Sequence, residues 1–213
     1  MSLRGLSWAL LIGLACACPA AAIAGDLTVR VESAAGAPVQ DAVIYAMPNG
    51  PVPALQHPQY SIDQVNRQFI PRVNVVQTGT SVSFPNSDNI RHSVYSFSAP
   101  KIFTLKLYAG RSAEPVVFDK PGLIVLGCNI HDIMIAWLLV VDTPYFAHTD
   151  AGGMAILAKL PPGDYTLRTW HTPMAEDQQV SEPLHVDAAA ETGSHVVRVT
   201  LPTEFAAPSA PSP

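Results

Sequence analysis

From Leu27 the chain reads Leu27-Thr28-Val29-Arg30-Val31-Glu32, an alternation of apolar and polar positions that predicts a strand with one buried face. After a turn signal at residues 34–38, residues 41–46 predict its hairpin partner. Residues 48–58 are rich in proline and carry no period, which marks a linker. Short strand patterns follow at 64–69, 72–76, 81–84, 92–95, 103–108, 114–118, 123–126 and 135–141, a density that suits a β-sandwich. Past Pro144 come further patterns at 146–149, 154–157 and 165–170, separated by Asp150-Ala151-Gly152-Gly153 and Pro161-Pro162-Gly163-Asp164. No stretch sustains a period of 3.6, so the expected class is all-β. The tail from Thr203, with Pro208, Pro211 and Pro213, predicts disorder.

The first and last strand patterns share a style. Gly36-Ala37-Pro38-Val39-Gln40-Asp41-Ala42-Val43-Ile44, then Thr149-Asp150-Ala151-Gly152-Gly153 and Leu160-Pro161-Pro162-Gly163-Asp164-Tyr165, resemble the carboxypeptidase-regulatory or transthyretin-like family. That resemblance implies one small sandwich with another inserted into it, an arrangement tolerated where two chain ends lie close on a surface. Two sandwiches packed side by side are the alternative.

The 213 residues include 20 Pro and 13 Gly and only 14% charged positions, which fits a strand-and-turn protein. The beginning is different: Arg4, an apolar run over 6–17 and Ala22-Ile23-Ala24 have the layout of a secretory signal cleaved after Ala24. The run is short for a bilayer span and is followed by Pro19, against an uncleaved anchor. A periplasmic location is expected, with no membrane span after processing. The net charge is −5 before Arg4 is lost, which argues against a nucleic acid or an anionic membrane as partner.

Processing also changes the cysteine count. Cys16 and Cys18 leave with the leader, and Cys128 remains alone in an oxidising setting. It can be neither half of an internal disulfide nor part of an all-cysteine zinc site. Metal ligation and simple burial remain open.

Gly127-Cys128-Asn129-Ile130-His131-Asp132-Ile133-Met134 places a thiol, an imidazole and a thioether within seven residues, between two apolar strands. Copper in an electron-transfer site takes two His and one Cys with a weak axial Met, because soft sulfur stabilises Cu(I) while imidazole serves both redox states. The second imidazole is available in Phe84-Pro85-Asn86-Ser87-Asp88-Asn89-Ile90-Arg91-His92, which can reach the cysteine loop only through the tertiary fold. Met134, between two isoleucines, is a candidate for core filling as well.

Val82-Ser83-Phe84-Pro85-Asn86 followed by His92, with Cys128-x2-His131-x2-Met134, resembles the cupredoxin family, with amicyanin-like loop spacing. The longer string running to Asp142-Thr143-Pro144 is similar to cupredoxin-domain proteins labelled methylamine utilisation proteins. The resemblance implies a Greek-key β-sandwich and one type 1 copper, with His92, Cys128 and His131 as equatorial ligands and Met134 as the axial one. It also implies that His131 lies at the protein edge, where electrons enter and leave. Many members carry Asn directly after the first ligand His to brace the cysteine loop, and here that position is Ser93. The expected organisation is then a leader over 1–24, regulatory-like strands over 25–48, a proline-rich linker over 49–61, a cupredoxin domain over 62–141, further regulatory-like strands over 142–202 and a disordered tail over 203–213.

His57, His148, His171, His185 and His195 are read as surface or hydrogen-bonded residues, Asp88 and Asp132 as acids that hold turns, and Tyr95, Trp137 and Trp170 as core aromatics. The leading functional expectation is a periplasmic carrier of single electrons between protein redox partners, and not an enzyme. Four protein ligands leave no open position for a substrate. Copper storage, sensing or delivery is a second reading, weakened by the presence of only five Met. An envelope-binding module with an accessory copper site is a third.

Overall fold

The computed structural model describes residues 24–54, 58–110, 114–187 and 192–200. The expected leader cleavage site region before Ala24, His57 and the proline tail lie outside them. Nearly every described element is a strand, and the one helical turn is a 3-10 turn at Glu176–Gln178. Among the described residues no helix is long and apolar enough to cross a membrane.

The chain begins in an outer sandwich with β1 (Gly25–Ser33) and β2 (Val43–Pro48). It then builds an inner sandwich from β3 (Gln59–Ser61), β4 (Asp63–Val65), β5 (Gln68–Ile70), β6 (Val73–Gln77), β7 (Thr80–Ser83), β8 (His92–Ser96), β9 (Phe103–Tyr108), β10 (Val116–Phe118), β11 (Gly122–Gly127) and β12 (Ile135–Val141). It returns to the outer sandwich with β13 (Phe146–His148), β14 (Met154–Leu160), β15 (Gly163–Trp170), β16 (Val180–Val186) and β17 (Thr192–Val199). The inner sheets run β6-β12-β11-β8-β9 and β10-β7-β3; the outer ones run β14-β1-β17 and β13-β2-β15-β16. The architecture is thus all-β, with one sandwich inserted between the second and third strands of another.

Three pairings differ from the sequence expectations. The segments expected as the first hairpin belong to opposite sheets, because β1 has both edges filled, by β14 antiparallel and β17 parallel, and β2 pairs instead with β13 and β15. The single strand expected at 64–69 is a hairpin of β4 and β5, reversed at Asn66 and Arg67 with φ of 53° and 59°. Within the expected linker, β3 runs parallel to β7; three residues are too few to show a period.

Strand β12 explains why 135–141 reads as an unbroken apolar run. Its alternate side chains serve two cores: Ala136, Leu138 and Val140 face the inner one, while Leu139 and Val141 join Val75 in the outer one. Fully burying one such side chain contributes about 1.5–3 kcal/mol, so this shared strand fastens the two sandwiches together.

The regulatory-like motif residues act within the fold. Thr149 Oγ1 donates to Val39 O at 2.7 Å and accepts from Ala42 N–H at 2.9 Å. Asp150 Oδ1 accepts from the N–H groups of Gly152 and Met154, and the Tyr165 hydroxyl donates to Pro161 O. Gly153, at φ 74°, lies so close to β1 that an added Cβ would come within 2.6 Å of Val31 O.

Candidate metal centre

At one end of the inner sandwich, two elements bring the candidate ligands together. His92 opens β8 and is fully buried; Cys128 directly follows β11 and is nearly so. His131 stands half-buried in the loop that leads to Met134 and β12. The loop turns tightly, with Met134 N–H donating to His131 O at 2.9 Å. The ligating atoms of His92, Cys128 and His131 all lie within 4.8 Å of one another, the one such group among the described residues. Met134 is buried in the same core cluster as Cys128.

The chain arrives at His92 on a scaffold made by Asn86. Its side-chain amide donates to Ile90 O and Tyr108 O, and its Oδ1 accepts from Asp88 N–H, so the loop before β8 has one shape. Tyr108 supports the same loop by donating to Phe84 O and accepting from Gln64 Nε2. Burial pushes its hydroxyl up to about 12, so it remains a neutral donor.

Cys128 Sγ sits 3.9 Å from His92 Nδ1 and 3.8 Å from Ser93 Oγ. The Ser93 hydroxyl also accepts from Asn129 N–H at 2.9 Å, bridging β8 to the cysteine loop. Serine therefore braces this loop from the position directly after His92. Gly127 is fixed by a neighbour: a Cβ there would fall 2.6 Å from the Tyr95 ring, which lies across it from β8.

The donor set fits a copper ion. An imidazole nitrogen buried without a partner is costly, and His131 Nδ1 is such an atom. A thiolate and two imidazoles suit copper in both redox states. Metal–sulfur and metal–nitrogen bonds of about 2.3 and 2.0 Å set at a trigonal angle span about 3.7 Å, close to the separation found between Cys128 and His92.

No family model and no curated protein matches this chain. Among solved structures it is similar to a Cu-containing nitrite reductase from Thermus scotoductus, with 25% identity over 45% of this chain and 25% of that one and a TM-score of 0.38. It is similar to a purple cupredoxin from Nitrosopumilus maritimus, with 16% identity over 54% of this chain and 98% of that one and a TM-score of 0.32. A reduced amicyanin variant aligns with 15% identity over 46% of this chain and 98% of that one, with a TM-score of 0.36. The chain thus spans a quarter of the nitrite reductase and nearly all of the two smaller proteins.

Apolar side chains are exposed on either side of His131 in the loop. Ile130 and Ile133 are exposed, Ile133 to 82%, and Ile133 and Ile135 border a groove of about 530 Å³ shared with Gln68, Phe69, Arg72 and Asp132. The Arg72 guanidinium sits 5.0 Å from the centre of the Trp137 ring. Asp132 lies on this exposed rim. Asp88 does not merely hold a turn: its carboxylate lies 2.7 Å from His92 Nε2. Burial works to raise its pKa, but hydrogen bonds from Arg67 N–H, His92 and Asn66 N–H outweigh it and leave the group below its ordinary value. Asp88 carries no recognisable sequence signal beyond closeness to a candidate ligand, whereas Ser93 is marked only by its place directly after His92.

The remaining described histidines stand apart. His171 Nε2 donates to Gln40 O, His185 pairs with Asp164 and His195 with Glu182, while burial depresses the pKa of His148.

Proposed function

We propose that this protein is an exported one-electron carrier in which His92, Cys128, His131 and Met134 hold a single copper ion. The observation that carries this reading is the convergence of two imidazoles and a thiol within 4.8 Å at the end of a rigid sandwich, one imidazole nitrogen being buried and unpartnered. Bound there, copper would supply a one-electron couple. The chain does the rest: Asn86 fixes the loop before His92 to β9 and Ser93 fixes β8 to the cysteine loop, so little rearrangement accompanies a change of charge. His131, at the edge, offers the shortest way out, and the exposed Ile130 and Ile133 beside it offer an apolar surface on which a protein redox partner can dock.

Loading the purified protein with one equivalent of Cu(II) is expected to produce an intense sulfur-to-copper absorption in the visible and a reversible one-electron wave. Colourless protein that yields its copper to mild chelators overturns the carrier reading and favours copper handling.

A further inference from the structure

Asp88 lies four residues before His92, with its side chain only 12% exposed, and its Oδ2 meets His92 Nε2. An ionised carboxylate can only accept hydrogen bonds, so the shared proton belongs to Nε2. That leaves the lone pair of Nδ1 facing the Cys128 sulfur. The carboxylate is itself gripped. Asn66 N–H donates to Oδ1 at 2.6 Å and Arg67 N–H to Oδ2 at 2.9 Å. Both donors belong to the left-handed turn of the β4–β5 hairpin, where successive backbone N–H groups form a concavity suited to an anion. From the other side Asp88 N–H is tied to Asn86 Oδ1. The hairpin, the loop and the ligand therefore form one connected unit.

We propose that Asp88 is a positioning residue. It sets the tautomer and orientation of His92 and, as a fixed negative charge one imidazole away from the metal, favours the oxidised over the reduced ion. This rests on the copper reading above, with which it shares the ligand His92. The β4–β5 hairpin then bears on the redox site through its turn, although none of its side chains is a ligand.

Two measurements test it on the full chain. In the metal-free parent protein, the His92 Nε2 proton should be seen by imidazole nitrogen NMR as a single tautomer, exchanging at least tenfold more slowly than the same proton in Asp88→Ala. This needs no copper, and a parent spectrum with the proton on Nδ1 overturns the inference even if the variant fails to fold. In the copper-loaded protein, Asp88→Asn should lower the ratio of Cu(II) to Cu(I) affinity at least tenfold, which raises the midpoint potential by about 59 mV. Asp88→Glu, which keeps the charge, should stay closer to the parent than Asp88→Asn does. A parent that binds copper but shows the same potential in Asp88→Asn overturns this inference alone. A parent that binds no copper overturns the functional reading beneath it.

Discussion

Each sandwich contains a histidine whose Nδ1 is buried without a hydrogen-bond partner, His131 in the inner one and His171 in the outer one. Only His131 has a thiol and a second imidazole within 4.8 Å. His171 belongs to no such group among the described residues, and its other nitrogen is spent on Gln40 O. An unsatisfied nitrogen is thus not a site by itself; what makes one is the convergence of further donors of matching softness. The outer sandwich spends its motif residues, Thr149, Asp150 and Tyr165, on its own backbone, whereas the inner one holds its conspicuous polar residues in readiness at one end.

The sharpest way to break this contrast is to remove a donor from each side. Cys128→Ser should abolish the visible absorption of the copper-loaded protein altogether, while His171→Ala leaves it unchanged. A colour that survives in Cys128→Ser, or is lost in His171→Ala, reverses the assignment of the two regions.

The sandwiches differ in chemistry yet share a strand, and that too can be tested. Leu139→Ala, which empties a buried position of β12 in the outer core, should cost about 2–5 kcal/mol. Because β12 belongs to both cores, thermal unfolding followed by calorimetry should remain one transition at a lower midpoint. Two separated transitions in the parent protein would show that the cores are independent.

The smallest expected effect concerns acid. Burial holds the pKa of His148 below its ordinary value, with Asp41 partly opposing. The unfolded chain therefore takes up the proton more readily than the folded one. The stability this confers is complete above about pH 6.5 and is lost as the pH falls toward the depressed folded value. Urea midpoints measured from pH 7.5 to 5 should fall less steeply for His148→Gln than for the parent, and equal slopes would remove His148 from the account.

Much of this was legible along the chain because the information was local. Alternation located most strands, and Cys128, His131 and Met134 declare themselves by spacing within one loop. The pairing of β1 was not legible, since the strands that fill its edges arrive more than a hundred residues later. Nor was the hairpin at Asn66 and Arg67, where two successive non-glycine residues adopt left-handed backbone that only the asparagine favours. Asp88 illustrates the same limit at the site. An acid four residues before a histidine is ordinarily a loop residue, and only the fold shows that its oxygens lie between a ligand candidate and the turn of a separate hairpin. Ser93 was visible as a departure from the family pattern, but its bond to Asn129 N–H depends on how β8 meets the loop after β11.

Anomalous diffraction at the copper edge from crystals of the loaded protein tests the central claim most directly. One strong peak per chain, bonded to His92 Nδ1, Cys128 Sγ and His131 Nδ1 with Met134 beside it, is the predicted result. A peak elsewhere in the molecule, or none within bonding distance of Cys128, would contradict it.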